Sequence, residues 1–381
     1  MRKIISFFIA IVIVVTWFSF KTFALPTVED TKYDCRSAIL IEASTQKVLY
    51  EQNADEALPP ASVTKIMTLL IVMEAIEEGK ISLSDMVSAS AHACSMGGSQ
   101  IYLEEGEQMS VEELIKSVLI ASANDAAVAL AEYVAGSEEA FVAIMNKRAE
   151  ELGLKNTHFE NTNGLDDTVE KHVTSARDIA IMSAKFLTYP KVTQYSSIWM
   201  DTIRNGEFGL TNTNRLVRFY KGANGLKTGS TSKAKFCVSA SATRDGMTLI
   251  CVVMAAPSRD IRNNIATKLL DYGFANYAVY NAPSVKIDPI SVTGGVKNIC
   301  GAKAIDFSVV VNKSDISKIT NKIELPNKIS APVKQGDKLG CISYYNGEEL
   351  IGKSDVISEE NIEAINFFEL LWRFISCMNL F

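Results

Sequence analysis

The sequence predicts an α+β domain, followed by a small all-β domain and a C-terminal amphipathic helix. Three patterns predict this order. Hairpin-like alternation stands at both ends of a helix-rich segment, short β-like runs follow Ala282-Pro283, and an apolar segment with one narrow polar stripe ends the chain. Because strands on either side of a run of helices can join in one antiparallel sheet, we expect the early and late hairpins to pair.

Length and composition limit the class of protein. The chain has 381 residues, of which 48% are hydrophobic and 22% are charged. This is more than one compact domain usually holds and supplies a full core, which excludes a disordered or collagen-like chain. The formal net charge is −6. An acidic protein binds phosphate backbones poorly, so we expect no nucleic-acid partner.

Residues 1–24 are predicted to be a secretory signal peptide. A positively charged start precedes an apolar run over residues 4–20, and small residues lead to a cleavage site after Ala24. The alternative is an uncleaved transmembrane anchor, because the apolar run is near the lower length limit for spanning a bilayer. Both interpretations predict export, either to the outer face of the cytoplasmic membrane or as a secreted protein.

The first domain is predicted to cover residues 25–281. Alternating apolar residues predict hairpins over 36–51 and over 235–255, the second around an Arg-Asp-Gly turn. After Pro59-Pro60, apolar residues at steps of three and four predict a helix that ends before Gly79. The same spacing predicts further helices over 111–134, 138–152, 175–187 and 259–272.

The second domain is predicted to be a β-rich module over residues 282–356. Its predicted strands are separated by turns rich in Gly, Asn and Lys, and they are Ser284–Ile287, Asp306–Val311, Lys322–Leu325, Lys338–Tyr344 and Glu349–Ser354. No catalytic constellation is visible in it, so its expected role is that of a spacer. A polar linker over 354–360 is expected to follow.

Residues 357–381 are predicted to form an amphipathic helix that anchors the chain at a membrane surface. Asn366, Glu369, Arg373 and Ser376 recur at helical spacing and form one polar stripe on an otherwise apolar helix. Glu369 and Arg373 are also placed to pair along the helix. A strongly apolar helix with one polar stripe suits the membrane interface. The alternative is a helix that docks on the protein's own core.

The cysteines and histidines give no metal site. The seven cysteines contain no Cys-x-x-Cys pair, and the three histidines contain no His-Glu-x-x-His motif. Export permits disulfides, but the odd cysteine count leaves at least one thiol free. No pairing follows from the sequence, although Cys237 with Cys251, and Cys300 with Cys341, are candidates. We expect no metal and no cofactor.

Ser62 and Lys65 form the first candidate site, a Ser-x-x-Lys motif at the start of a predicted helix. One helical turn separates them, so both side chains lie on one face. A serine hydroxyl becomes a nucleophile when a base is near, and a lysine serves as that base when its neutral form is accessible. The motif alone is weak, because it recurs at Ser230 and Lys233.

Two further motifs supply groups that a serine nucleophile would need. Ser122 and Asn124 interrupt an apolar helical pattern, which indicates either a local helix break or a proton shuttle and a substrate-orienting amide. Lys227, Thr228 and Gly229 precede the predicted second hairpin. An ammonium and a hydroxyl side by side bind a terminal carboxylate, and glycine lets a substrate backbone approach the strand edge.

Together the three motifs resemble those of the penicillin-recognising serine acyl enzymes. The longer matches are similar to serine-type D-Ala-D-Ala carboxypeptidases, the low-molecular-mass penicillin-binding proteins of peptidase family S11. These matches are Ala61–Thr68, Gly98-Ser99, Ser122–Asp125, His172–Asp178 and Asn224–Gly229. The layout of signal peptide, catalytic domain, β-rich module and C-terminal helix also matches. The resemblance implies the penicillin-binding-protein and β-lactamase-like fold, an antiparallel sheet with a helical cluster.

The resemblance implies a role for each site residue. Ser62 is the acylated nucleophile, Lys65 is its base, and Ser122 relays a proton to the leaving D-alanine. Asn124 holds the substrate amide, and the carboxylate is recognised by Lys227, Thr228 and Arg262, with Gly229 on the edge strand. The backbone N–H groups of Ser62 and Ser230 form the oxyanion hole. Many relatives carry His where this chain has Ser230, so side-chain contacts with substrate are expected to differ.

The implied substrates are peptidoglycan stem peptides that end in D-Ala-D-Ala, with β-lactam antibiotics as covalent inhibitors. A class A β-lactamase is the first alternative, but the segment 138–170 has no glutamate followed four residues later by asparagine. A catalytically inactive penicillin-sensing or wall-binding protein is the second, although binding alone does not require Lys65, Ser122 and Lys227 together. His172 is expected to organise the loop before the 175–187 helix.

Overall fold

The computed structural model describes residues 31–167 and 169–377, and from Asp34 onward these residues form one unit. The predicted signal peptide lies outside the described residues. The strands of the first domain, in chain order, are β1 (Ser37–Glu42), β2 (Val48–Gln52), β3 (Met86–Ser88), β4 (Gln108–Ser110), β5 (Met200–Ile203), β6 (Phe208–Thr211), β7 (Ala223–Thr231), β8 (Lys235–Arg244) and β9 (Met247–Ala256).

Five of these strands form an antiparallel sheet in the order β2-β1-β9-β8-β7. Both predicted hairpins are present, and β1 pairs with β9, so early and late sequence join in one sheet as expected. Strand β7 lies at an edge. The remaining strands form two small ribbons, β3 with β4 and β5 with β6.

The helices of the first domain cover both faces of this sheet. They are α1 (Lys65–Glu77), α2 (Ala91–Cys94), α3 (Val111–Lys116), α4 (Asn124–Ala135), α5 (Glu138–Glu151), α6 (Ala176–Phe186), α7 (Pro190–Ser196), α8 (Leu216–Phe219) and α9 (Arg259–Asn276). The face that carries Ile39 and Val252 packs on the helical cluster. On the other face, Gly273 of α9 lies against Leu40 and Leu249. Strands enclosed on both faces carry apolar residues on both sides.

Helix α1 occupies the centre of the helical cluster. The sequence indicated one apolar face, but Ile71 and Val72 between the predicted positions are also buried. A helix enclosed on all sides is apolar on all sides. This enclosure matters for chemistry, because the first residue of α1 is Lys65, whose side chain is fully buried.

The single helix predicted over 111–134 is wrong. Helix α3 continues as a π-helical turn over Ser117–Ala121 and then ends at Ser122, whose φ of 66° is left-handed. Helix α4 begins two residues later at Asn124. A left-handed residue cannot continue a right-handed helix, so the polar residues in the apolar pattern mark a break. The other predicted helices are present, with α9 extending to Asn276.

The second domain is all-β, as predicted. Strand β10 (Tyr277–Asn281) links the two domains, and the strands of the second are β11 (Ile290–Thr293), β12 (Ile299–Cys300), β13 (Ala302–Ala304), β14 (Ser308–Asn312), β15 (Ile319–Glu324), β16 (Lys328–Ser330), β17 (Lys338–Asn346) and β18 (Glu349–Ser358). The sheets run β10-β14, β12-β11-β16 and β13-β18-β17-β15. Residues 284–287, predicted as a strand, form none.

The C-terminal helix is shorter than predicted. The expected linker over 354–360 is wrong, because β18 continues to Ser358 and Ile362 is buried and bridges to Val333. The helix α10 (Phe367–Cys377) therefore begins after the predicted start at residue 357. The Glu369–Arg373 pair is also absent, since the described contacts of Arg373 are with the backbone of Gly295 and Val296 and with Asn298.

Candidate active site

Ser62 and Lys65 lie together at the entry to α1. A 3-10 turn over Ala61–Thr64 leads directly into the helix, so the two side chains project one turn apart on the same side. The Lys65 Nζ lies 2.9 Å from the Ser62 Oγ and donates a hydrogen bond to it. The first predicted pair is therefore formed in space.

The Lys65 ammonium is held by oxygen atoms in a fully buried position. It donates to Asn124 Oδ1 at 2.5 Å and to the Asn163 carbonyl at 2.8 Å. Burial lowers the pKa of Lys65 well below its usual range, the Lys227 charge lowers it further, and the Asp125 carboxylate opposes both. A lysine with a depressed pKa presents a neutral amine that can accept a proton.

Lys227 and Ser122 form a second amine–hydroxyl pair. The Lys227 Nζ donates to Ser122 Oγ at 2.7 Å and to the Thr228 carbonyl at 3.0 Å. Burial lowers the pKa of Lys227 to about 7, and the Arg262 charge acts in the same direction. The left-handed conformation of Ser122 at the helix break places its hydroxyl at this lysine.

Asn124 connects Lys65 to the opposite rim of the cleft. Besides accepting from Lys65, its side-chain amide donates to the Gly97 carbonyl at 2.6 Å, and its backbone N–H donates to Ser99 at 2.7 Å. The neighbouring Asp125, which was not among the predicted site residues, accepts from the backbone N–H groups of Ile101 and Leu103. The rim and the lysine are thus fixed by two adjacent residues.

Strand β7 lies directly against the turn that carries Ser62. A Cβ atom on Gly229 would lie 2.7 Å from the Pro60 carbonyl oxygen and 2.9 Å from the Ser62 backbone nitrogen. These separations are too short for any side chain, so glycine is required here. The close approach also brings the backbone of Ser230, the next residue on β7, to the turn that carries Ser62.

Thr228 and Arg262 face the same cleft from different elements. The Thr228 Oγ1 donates to Thr213 Oγ1 at 2.8 Å. Arg262 on α9 is 2% exposed and donates to the Cys237 carbonyl at 3.2 Å and to Asn263 Oδ1. Burial lowers the pKa of Arg262 to about 10, so this guanidinium is still charged at neutral pH.

These residues border one cleft of about 620 Å³. Ser62, Ser122, Thr228, Gly229, Ser230 and Arg262 line it, and Lys65, Asn124 and Lys227 join that lining through hydrogen bonds. Sequence reasoning missed the remaining wall, which consists of Ser99, Trp199, Thr211, Asn212, Thr213, Arg215, Phe219 and Arg259. Of these, only Ser99 stood in a noted motif.

His172 supports the turn that carries Ser62. Its Nδ1 accepts the Glu160 backbone N–H at 3.0 Å, so the neutral ring carries its proton on Nε2, 2.7 Å from Thr64 Oγ1. Thr64 in turn donates to the Ala61 carbonyl. Burial lowers the pKa of His172 to about 4.

The second Ser-x-x-Lys motif forms no comparable pair. Ser230 lies on β7, and Lys233 in the turn after it donates to the Asp166 carbonyl at 2.5 Å. Cys35, Cys94, Cys237, Cys251, Cys300 and Cys341 are free, so neither candidate disulfide is formed. Within residues 31–167 and 169–377, no group of three or more His, Cys, Asp or Glu side chains is placed to hold a metal ion.

Comparisons with known proteins identify relatives of this chain. Residues 25–258 match the D-alanyl-D-alanine carboxypeptidase family of S11 peptidases, and residues 286–364 match the C-terminal domain of penicillin-binding protein 5. The D-alanyl-D-alanine carboxypeptidase DacF of Bacillus subtilis is 43% identical over 350 residues, which cover 90% of this chain and 89% of that protein.

Two solved structures extend the comparison. Penicillin-binding protein 5 of Haemophilus influenzae superposes with a TM-score of 0.76 at 31% identity, covering 87% of this chain and 98% of that chain. Penicillin-binding protein D2 of Listeria monocytogenes in its ampicillin-bound form has a TM-score of 0.59 at 31% identity, covering 64% of this chain and 98% of that chain. The chain described here therefore belongs to the D-alanyl-D-alanine carboxypeptidase family, peptidase family S11.

Proposed function

We propose that this D-Ala-D-Ala carboxypeptidase removes the terminal D-alanine of peptidoglycan stem pentapeptides through an acyl-enzyme on Ser62. The observation that carries the proposal is the fully buried Lys65 Nζ, 2.9 Å from the Ser62 Oγ, with the Lys227–Ser122 pair in the same cleft. A nucleophile, its base and a proton donor are the parts that acyl transfer requires.

In the first step the neutral amine of Lys65 takes the proton of Ser62, and Oγ attacks the carbonyl carbon of the D-Ala-D-Ala peptide bond. The backbone N–H groups of Ser62 and Ser230 stabilise the oxyanion that forms. The carbon–nitrogen bond then breaks as Ser122 protonates the leaving amine. Lys227 replaces the proton on Ser122, and D-alanine departs as an ordinary amino acid.

In the second step water attacks the ester carbonyl of acylated Ser62. Lys65, which has by then passed the proton of Ser62 to the neutral Lys227, accepts a proton from that water and gives it to Ser62 Oγ as the ester bond breaks. The shortened stem peptide leaves with a new carboxyl group. Thr228, Lys227 and Arg262 bind the carboxylate at the end of the substrate. This places the last peptide bond at Ser62, so cleavage removes the last residue.

The side chain of Asn124 makes two hydrogen bonds, one through its oxygen and one through its nitrogen. In the described structure its Oδ1 holds Lys65 and its Nδ2 holds the Gly97 carbonyl. We propose that a bound substrate carbonyl takes the place of Gly97 on Nδ2 while the bond to Lys65 persists. The residue then orients substrate and base together.

β-Lactams are proposed to acylate the same serine. They present a carbonyl and a carboxylate at a spacing similar to that of D-Ala-D-Ala, and their leaving group remains tethered after ring opening. Structures of the Listeria monocytogenes relative exist in ampicillin-bound and cefotaxime-bound forms. Slow attack by water on the tethered ester makes the compound an inhibitor.

Mass spectrometry after incubation with penicillin tests the assignment. We expect one adduct, on the peptide that contains Ser62, and no adduct in a folded Ser62→Ala variant. Release of D-alanine from a pentapeptide by the wild-type chain, but not by that variant, separates an enzyme from a penicillin sensor. An adduct on Ser230, or β-lactam turnover faster than D-alanine release, would contradict the proposal.

We also propose that the exported chain is held at the membrane surface by α10. Large apolar side chains of this helix are exposed, among them Phe367, Phe368, Trp372 and Phe374 at 63–79%. Arg373 donates hydrogen bonds to carbonyls of the second domain and so ties the helix to it. An exposed apolar helix face held next to a folded domain suits an interfacial anchor. Among the described helices, none has the length and apolar character needed to cross a bilayer.

Vesicle binding tests the anchor. Removal of residues 366–381, or the double substitution Phe368→Glu with Trp372→Glu, should release the chain from anionic vesicles without reducing D-alanine release. The substitution Ser376→Glu on the polar stripe is the matched control and should leave binding intact. Retention of the double variant on vesicles would show that the helix is not the anchor.

A further inference from the structure

The cleft carries more positive charge than the proposed reaction uses. Three arginines line it, Arg215, Arg259 and Arg262, while its described lining contains no aspartate or glutamate. The chain as a whole has a formal net charge of −6. A cationic cleft on an acidic protein concentrates anionic ligands at that place.

Two of the three arginines are free to bind a ligand. Arg262 is buried and donates to Cys237 and Asn263, whereas Arg215 and Arg259 are exposed. No ion pair or side-chain hydrogen bond joins Arg215 or Arg259 to another described residue. Guanidinium groups are well suited to carboxylates because they can donate two parallel hydrogen bonds.

Both free arginines stand at the carboxylate end of the cleft. Arg259 precedes Arg262 by three residues on α9, so the two lie on one helix face. Arg215 follows Thr213, whose hydroxyl is bonded to Thr228. The opposite rim, at Ser99, carries no charged lining residue. The extra charge therefore faces the leaving group rather than the acyl part of the substrate.

Aromatic side chains border this end of the cleft. Trp199 and Phe219 line it, and the guanidinium of Arg218 lies 5.3 Å and 5.4 Å from their ring centroids. These rings give this end of the cleft an apolar lining that reaches the surface, since Phe219 is 72% exposed. Ion pairs formed there are partly screened by water and salt.

D-Alanine has one carboxylate and a methyl side chain, so it leaves Arg215 and Arg259 without a partner. We propose that these two arginines bind a second carboxylate carried by the leaving residue. The chain then cleaves a D-Ala–D-Xaa bond faster when Xaa has an acidic side chain than when it has a neutral one of the same size. The inference rests on the proposed function, since it concerns the leaving group of that reaction.

Three peptides that differ only in their last residue, D-alanine, D-glutamine or D-glutamate, test the proposal. Hydrolysis is the same for each, with the leaving amine protonated and water added to the acyl group. We expect kcat/KM for the D-glutamate peptide to exceed that for the D-glutamine peptide by about three- to tenfold, the range for one or two partly exposed ion pairs. The ratio should decline as salt is added.

The variants Arg215→Gln and Arg259→Gln identify the residues responsible. In the double variant, the ratio of kcat/KM for D-glutamate over D-glutamine should fall to about one. Because both peptides are measured on the same variant, a general loss of activity cancels in the ratio. The control Arg36→Gln removes the same charge from an exposed residue outside the cleft, where Arg36 pairs with Glu56, and should keep the wild-type ratio.

A wild-type ratio of one or less would overturn the inference, as would a ratio unchanged in the double variant. Acylation of Ser62 by penicillin reports that each variant is folded. Failure of the wild-type chain to release D-alanine, despite penicillin acylation, would contradict the proposed function and this inference with it. Release of D-alanine with no preference for D-glutamate would contradict this inference alone.

Discussion

At the scale of single residues, the proposed reaction depends on two buried amines with different tasks. Lys65 must lose its proton to act as a base, and Lys227 must keep its proton to serve the leaving group and the substrate carboxylate. Burial lowers the pKa of both, and the charge on Lys227 lowers that of Lys65 further. The charge on Lys227 thus favours the neutral state of Lys65.

The first prediction concerns the pH dependence of kcat/KM. The rate should rise with pH as Lys65 loses its proton, and fall again as pH passes about 7, where the free enzyme loses the Lys227 proton. Lys227→Arg keeps a charge at every pH, so the falling limb should disappear even if the maximum is lower. Initial rates at low substrate concentration measure this. A falling limb that persists in Lys227→Arg would assign it to another group.

The second prediction concerns Gly229. A methyl group there would press on Pro60 and on the Ser62 backbone nitrogen, which displaces β7 from the oxyanion hole. Gly229→Ala should slow penicillin acylation by about a hundredfold or more, the scale for loss of one oxyanion donor. Gly209→Ala is the matched control, because nothing lies within 4 Å of its added Cβ. Equal acylation rates in both variants would refute the close approach.

The third prediction concerns stability and His172. The pKa of His172 is about 4 in the folded chain and near 6.5 for a free histidine. As the pH falls, His172 therefore takes up its proton in the unfolded state before it does so in the folded state. Stability should therefore fall as pH drops from about 6.5 to 4, by about 3 kcal/mol from this residue. Urea unfolding at pH 7 and pH 4.5 measures the loss. His172→Gln should lose less between the two values, and an equal loss would contradict the prediction.

At the scale of elements, the break between α3 and α4 shows what periodicity conceals. Apolar spacing runs on through 111–134, and it predicted a single helix. The π-helical turn and the left-handed Ser122 change the direction of the backbone without changing the apolar pattern. The polar pair Ser122 and Asn124 was visible in the sequence, and its meaning became clear only with Lys65 and Lys227 in contact with it.

The fourth prediction separates the conformation of Ser122 from its hydroxyl. Ser122→Gly and Ser122→Ala both remove the proton donor and should both lose D-alanine release. Glycine accepts a left-handed conformation that alanine resists, so the glycine variant should be about 1 kcal/mol more stable than the alanine variant. Urea unfolding measures the difference. A more stable alanine variant would contradict the left-handed assignment.

The site residues that belong to short motifs could be predicted from the sequence. Ser62 with Lys65, Ser122 with Asn124, and Lys227 to Gly229 are each a few residues long, and each was expected at a helix start, a helix break or a strand. Trp199, Arg215 and Arg259 have no such mark. Trp199 precedes β5, Arg215 precedes α8 and Arg259 begins α9. These elements meet at the cleft by long-range packing, which leaves no local pattern.

The linker predicted over 354–360 was wrong for a related reason. Residues 354–358 alternate between buried and partly exposed positions, as a strand does, but the buried ones include Ser354 and Ser358. Their hydroxyls donate to the backbone carbonyls of Ile305 and Glu360. A serine satisfied by hydrogen bonds can be buried, so polarity alone did not distinguish this strand from a linker.

At the scale of the whole molecule, the two domains share a pair of strands. Strand β10, which follows α9 directly, pairs with β14 over Tyr277–Asn281 and Ser308–Asn312. Lys47 Nζ donates to the Val310 carbonyl at 3.0 Å, and Lys313 Nζ donates to the Phe274 carbonyl at 2.6 Å. The second domain is thus joined to the first by backbone hydrogen bonds rather than by a flexible tether.

The fifth prediction follows from this junction. A chain that ends at residue 281 loses the partner of β10 but keeps every proposed catalytic residue. Its rate of penicillin acylation should stay within about twofold of the full chain, and its thermal midpoint should fall by several degrees, as expected for about 1 kcal/mol. Calorimetry and acylation kinetics measure both. An unchanged midpoint would show that the shared strands add no stability.

The exposed face of α10 has a practical consequence for handling the protein. In water without lipid, this face places several large aromatic and aliphatic side chains on the surface as one continuous patch. Such a patch drives self-association and adsorption to plastic and glass. Kinetics on the full chain therefore need detergent micelles to shield it, and rates measured without them will depend on protein concentration.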